Sequence, residues 1–264
     1  MTLPLFGPGQ DPGPSFSELL RRSGLNPPDP TIIPDEVVVH ATTIVAICYT
    51  EGVVMAGDRR ATEGTSIADR AIEKVFPADR HSAVSIAGAA GPAIEMVRIF
   101  QTELEHYEKV EGAALSLEGK ANKLGGMVRA NLPMAMQGLA VMPIYAGYDL
   151  RRRLGRIFKY DLTGGRYEDN DFHATGSGGR DARTTIKLGY KRGLDRAQAI
   201  ELAIEALYQA SDEDSATGGP DMVRGIFPTM ATITADGFER VGDDEVRERF
   251  TSLLERKTAE GYQP

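Results

Sequence analysis

The sequence predicts an α+β fold: two packed antiparallel sheets with helices on their outer faces. Three features lead to it. Short apolar runs of strand length arrive in two blocks. After each block the apolar spacing switches to the three-and-four repeat of a helix. A last strand-like run and a last amphipathic stretch close the chain, an order that suits stacked sheets covered by helices.

Residues 42–49 (Thr-Thr-Ile-Val-Ala-Ile-Cys-Tyr) and 53–56 are apolar and rich in β-branched side chains, and Thr50-Glu51-Gly52 between them is a hairpin signal. Residues 67–76 and 83–87 read as further strands. Ala93, Met96, Val97, Phe100 and Leu104 then recur at helical spacing, with Glu95, Arg98 and Glu103 between them. Leu124, Met127, Val128 and Leu132 repeat that spacing within residues 117–135, where Pro133 interrupts it. The second block of strands, 139–148, 155–161 and 172–175, precedes helical stretches at 179–190 and 196–211. Residues 226–234 are strand-like, 243–256 form a final amphipathic helix, and 257–264 read as a frayed tail.

A chain of 264 residues that is 41% hydrophobic can bury a sizeable core. The net charge of −8, with the basic residues dispersed, offers nucleic acid no basic face, so no such partner is expected. No apolar run approaches the roughly 18 residues of a membrane span, and the start lacks a secretory signal. A cytoplasmic chain without a membrane partner is the expectation. The single cysteine, Cys48, excludes an intrachain disulfide framework and reads as a small core residue. His40, His81, His106 and His173 offer no i, i+4 metal pair. Gly176-Ser177-Gly178-Gly179 lacks the third glycine of a dinucleotide loop and the Gly-Lys-Ser/Thr of a phosphate loop. Neither a metal nor an organic cofactor is expected.

Residues 1–41 have a different character. Eight of the fifteen prolines lie there, and only residues 15–23 have the pattern of a short amphipathic helix, so the segment packs no domain of its own. Composition leaves two readings, a disordered tail and a removable propeptide. The propeptide is favoured because Thr42-Thr43 begins where the proline-rich part stops. A threonine hydroxyl is a poor nucleophile until something takes its proton. A threonine that starts a mature chain carries its own base, an α-amine with a pKa of roughly 7.7–8.0. Asp58 follows sixteen positions on and Lys74 sixteen beyond that, both beside apolar runs. They supply a charge pair to orient and tune such a nucleophile. Alone, the threonines would read as ordinary strand residues and the pair as a surface ion pair of little worth. The spacing of all three favours chemistry.

Further motifs follow in order: Gly57-Asp58-Arg59-Arg60-Ala61-Thr62, Glu73-Lys74-Val75-Phe76, Ser85-Ile86-Ala87-Gly88, Gly176-Ser177-Gly178-Gly179 and Asp214-Ser215-Ala216-Thr217-Gly218-Gly219. With them the chain resembles, from about residue 37 to about residue 255, the β-subunit of the proteasome core particle in its actinobacterial form, an N-terminal-nucleophile hydrolase. The resemblance implies a four-layer αββα sandwich over residues 42–264. It also implies a threonine endopeptidase that frees Thr42 by self-cleavage of the Ala41–Thr42 bond, with residues 1–41 as the propeptide. Lys74 would lower the pKa of the Thr42 amine and stabilise charge on its oxygen, Asp58 would hold Lys74, and Arg60 would give structural support. Gly88, at a strand-to-helix junction, would donate its N–H to the oxyanion; its other reading is a turn glycine. Ser177 would contact the amine, with Asp214, Thr217 and Gly218 completing that network. Thr217 stands where many relatives have serine and retains the hydroxyl.

By the same resemblance Ala61, Ile72, Ile86, Ala90 and Ile94 line the pocket for the side chain before the scissile bond. Ile94 reads equally well as core. Thr62 and Gly88 would pair with the substrate backbone as an added strand. That lining carries no charge, which favours apolar or neutral side chains. The chain departs from the family at Ala41, where glycine is usual. A Cβ there restricts the backbone, so slower self-cleavage is expected. The implied partners are copies of this chain in seven-membered rings, α-subunit rings, an ATP-dependent unfoldase acting through the α-ring, and unfolded or tagged proteins. Two alternatives are an N-terminal-nucleophile amidase acting on a small amide and a non-catalytic ring subunit. Thr42, Asp58 and Lys74 together speak against the second.

Overall fold

The computed structural model of the protein describes residues 42–64 and 66–261. The expected propeptide, with Ala41, lies outside the described residues, as do 262–264 of the expected tail. One five-stranded sheet contains β1 (Thr43–Tyr49), β2 (Gly52–Gly57), β10 (Phe172–Gly176), β11 (Thr229–Thr234) and β12 (Phe238–Arg240), in the order β10-β1-β2-β11-β12. The other contains β5 (Val75–Asp79), β6 (Ser82–Gly88), β7 (Val141–Asp149), β8 (Leu154–Tyr160) and β9 (Arg166–Asp169) in sequence order. Every pairing in both is antiparallel. A separate ribbon joins β3 (Ala61–Glu63) to β4 (Ser66–Asp69).

The central strands are largely apolar because both faces of each sheet are covered. Side chains alternate along a strand. Ile44 and Ala46 of β1 thus join Val53 and Met55 of β2 in the layer between the sheets, where they meet Val75, Ala83, Ile144 and Ile157 of the other sheet. Val45 and Ile47 point the opposite way, into a core shared with α4 (Gly179–Gly189), α5 (Arg196–Glu213) and α6 (Asp243–Ala259). The outer face of the second sheet, with Val84, Tyr145 and Phe158, packs on α1 (Ala90–Glu111) and α2 (Leu117–Ala130) through Phe100, Leu124 and Val128. The layers run helix, sheet, sheet, helix, as expected. No described helix is long and apolar enough to cross a membrane.

Several expectations about single elements need correction. The strand expected over 67–76 is two. β4 pairs only with β3 and is exposed throughout, and the Asp69 carboxylate then caps a turn by accepting the Ala71 N–H at 2.7 Å. The chain crosses over before β5 joins β6. The helix expected over 117–135 breaks at Asn131, and Pro133 sits in the first turn of a new short helix, α3 (Leu132–Ala135), where its missing N–H is harmless. The last helix runs on to Ala259, so residues 257–259 are helical rather than frayed. The strand expected from residue 226 starts at Thr229, just after Pro228. β3, β9 and β12 escape the sequence pattern because they are short and largely polar.

The two sheets lie close where β8 crosses β2. A Cβ added to Gly155 would lie 2.5 Å from the Gly52 carbonyl oxygen and 2.5 Å from Val53 Cγ2. Backbone cannot yield there cheaply. Gly155→Ala is expected to destabilise the subunit by about 1–3 kcal/mol through overpacking, read as a lowered midpoint of thermal unfolding. An unchanged midpoint would show that the sheets separate freely.

Candidate active site

Thr42 sits immediately before β1, buried, and is tied down through its backbone: its carbonyl oxygen accepts the Ser177 N–H at 2.9 Å. The next residue, Thr43, stands opposite Gly176 in the β1–β10 ladder. Gly176 has φ of 105°, and a Cβ there would fall 1.7 Å from the Thr42 carbonyl oxygen. Only glycine allows this approach.

Asp58 directly follows β2 with its carboxylate fully buried, and four donors converge on it. The Thr43 N–H (2.8 Å) and the Lys74 ammonium (2.7 Å) reach Oδ1; the Arg60 N–H (2.9 Å) and the Gly218 N–H (2.9 Å) reach Oδ2. Lys74, 2% exposed, directly precedes β5, and its ammonium also donates to the Arg60 carbonyl at 2.6 Å. Burial pushes the Lys74 pKa below the ordinary lysine value. The attraction of Asp58 opposes this, and the nearby Arg60 charge adds to it. Buried pairs are tolerated when geometry is good and the remaining polar atoms are satisfied, and removing one partner costs about 3–5 kcal/mol. Both conditions hold here.

A second carboxylate lies across β10. Asp214 Oδ2 accepts the Ser177 hydroxyl at 2.5 Å and the Thr217 hydroxyl at 2.6 Å, while Oδ1 accepts the Ala216 N–H at 3.2 Å. Desolvation raises the Asp214 pKa, but these hydrogen bonds outweigh it and hold the carboxyl below its usual range. Thr217 Oγ1 is 2.7 Å from Thr43 Oγ1, which accepts the Gly178 N–H at 2.9 Å. The sequence reading missed Thr43. A hydroxyl at the head of an otherwise apolar strand was its available signal, since a buried polar group needs partners.

Thr42, Ile72, Glu73, Lys74, Ile86, Ala87, Gly88, Ala90 and Ala93 line one cleft. Of the expected pocket residues, Ile72, Ile86, Gly88 and Ala90 are brought together there. Ala61 and Thr62, buried in β3, do not line it. Ile94 does not line it: half-buried, it packs against the core beneath α1, to which Ala93 also belongs. The expected absence of charge is corrected by Glu73, whose carboxylate is held by Arg240 Nη1 at 2.5 Å and by Nη2. That hydrogen bond takes its pKa below the ordinary glutamate value. Gly88 ends β6 with φ of 99°, and a Cβ there would come within 2.1 Å of the Ala140 carbonyl oxygen. Gly88 lines the cleft two residues before α1 begins. Cys48 is no rival nucleophile: burial first, then Asp171 and Glu168, push its thiol up to about 12.

The compact ammonium of Lys74 fits between two oxygens less than 3 Å away. A planar guanidinium does not reproduce that geometry. Lys74→Arg is therefore expected to fold yet lose turnover on peptide substrates. Activity near that of the parent would show that a positive charge alone suffices.

Comparison with known proteins points the same way as the geometry. A family model described as proteasome subunit matches residues 38–224. Proteins named proteasome subunit beta are similar over most of their length. That of Acidimicrobium ferrooxidans is 60% identical over 250 residues, covering 94% of this chain and 92% of the relative. That of Acidothermus cellulolyticus is 60% identical over 213 residues, 79% of this chain and 73% of the relative. The Streptomyces griseus protein is 59% identical over 218 residues, 83% and 78% respectively.

Proposed function

The chain belongs to the proteasome subunit family, and from that premise we propose that it is a threonine peptidase of the β type, acting through Thr42. The observation that carries the reading is the buried Asp58–Lys74 pair, whose carboxylate also holds the backbone N–H directly behind Thr42. In the precursor the Thr42 nitrogen is an amide. Attack of the Thr42 hydroxyl on the Ala41 carbonyl moves the acyl group from nitrogen to oxygen, and water then cleaves the ester, leaving a free amine.

In the mature chain that amine takes the proton of Thr42 Oγ1 as the oxygen attacks the peptide carbonyl. The Gly88 N–H donates to the oxyanion. Collapse returns the proton to the departing amine and leaves an acyl ester on Thr42, which water hydrolyses with the same amine as base. Lys74 disfavours the protonated amine and stabilises negative charge on the oxygen. Ile72, Ile86, Ala90 and Ala93 give the cleft an apolar wall, and the Glu73 charge is spent on Arg240. Apolar side chains before the scissile bond suit it.

The reading extends to partners. Copies of this chain form seven-membered rings between rings of α-subunits, and an ATP-dependent unfoldase feeds unfolded or tagged proteins through the α-ring. Mixing the chain with its cognate α-subunit should give a large ring-shaped species that gains peptidase activity as residues 1–41 are lost. Full activity in a monomeric fraction would favour a small-amide hydrolase instead.

Replacing Thr42 by alanine should abolish both peptide cleavage and loss of residues 1–41, because one hydroxyl serves both reactions. Serine should keep part of each. Autonomous maturation of the alanine variant would remove Thr42 from the mechanism.

A further inference from the structure

We propose that Thr43 is a positioning residue for this reaction, its hydroxyl donating to Thr217 Oγ1 and so keeping the Thr217 proton on Asp214. The proposal rests on the threonine-peptidase reading above. A backbone N–H only donates and an ionised carboxylate only accepts, while a hydroxyl has one proton to give. Gly178 N–H therefore makes Thr43 Oγ1 an acceptor. At the other end, Thr217 and Ser177 each give their single proton to Asp214 Oδ2. Thr217 has no proton left, so its 2.7 Å contact with Thr43 runs from Thr43 to Thr217. The sequence is fixed from end to end: Gly178 to Thr43, Thr43 to Thr217, Thr217 to Asp214.

This order has a chemical consequence. Toward any further group, Ser177 and Thr217 present lone pairs only. On the reading above, in which Ser177 contacts the α-amine freed on Thr42, that amine meets acceptors for its N–H bonds. Its nitrogen lone pair stays open for the Thr42 hydroxyl. A hydroxyl turned the other way would donate to that lone pair and remove the base. Thr43 holds Thr217 in the productive sense, and its own oxygen is pinned by the loop that also grips the Thr42 carbonyl. The strand carrying the nucleophile is thereby joined to the Asp214 network by a hydroxyl that touches no substrate.

The test is a double-mutant cycle on matured, assembled particles, using Thr43→Val, Thr217→Val and both together, with Thr43→Ser as the conservative variant. Valine keeps the shape of threonine and removes the hydroxyl. Acylation of Thr42 by a peptide substrate, followed by intact mass over hours, reads rates too slow for turnover. Thr43→Val should lower kcat by about tenfold or more with KM little changed, and serine should restore most of it. In the Thr217→Val background the Thr43→Val change should have almost no further effect. Should valine block maturation, Thr43→Cys, similar in size and a weak donor, takes its place in the cycle. An equal loss in both backgrounds would make Thr43 a packing residue only, and parental kcat in Thr43→Val would also overturn the proposal. Either result leaves the Thr42 assignment untouched, since that one is tested separately by peptide cleavage and maturation of Thr42→Ala.

Discussion

The Asp58 carboxylate is the constraint on which the site depends. It lies in a place where water cannot reach it, so it must be satisfied by the protein, and four donors from four parts of the chain converge there. Each fixes a different element. The Thr43 N–H fixes the entry to β1, the Arg60 N–H the turn into β3, the Gly218 N–H the loop after α5, and the Lys74 ammonium the approach to β5. Removing the carboxylate would leave a buried cation and three buried N–H groups without partners, each of which is costly. One charged group thus ties together both sheets and the loop that bears Thr217.

The sandwich supplies what that group needs. Strands covered on both faces are rigid and dry, and their ends deliver Thr42, Asp58, Lys74 and Gly88 to one end of the stack. Two glycines permit close approaches at the site: Gly176 to the Thr42 carbonyl and Gly88 to Ala140. Burial takes the Lys74 pKa down, whereas at Asp214 the hydrogen bonds outweigh burial and keep the carboxyl below its usual range.

Much of this was legible in the sequence, for identifiable reasons. Thr42, Asp58 and Lys74 stand out through their spacing and the motifs around them that match the proteasome subunit family; alone, the lysine and the aspartate read as a surface ion pair. The helix and strand periods gave the layers, since every long element has a buried face. What was hidden depends on tertiary context. The break between β4 and β5 follows from pairing partners, not from local apolarity. Ile94 reads equally well as core or pocket from its helical spacing, and only the packing beneath α1 decides for the core. Glu73 looked like a bystander because its partner, Arg240, lies far along the chain. Thr43 looked like a second strand residue, and only the short contact with Thr217 reveals its place.

The central claim is that the mature chain begins at Thr42 with a free amine. Intact mass of the subunit taken from active, assembled particles tests it most directly. The account predicts one species whose mass corresponds to residues 42–264, gaining the mass of one acyl group when a slowly hydrolysed peptide acylates it. Active particles whose chains retain residues 1–41, or begin at any other residue, would contradict it.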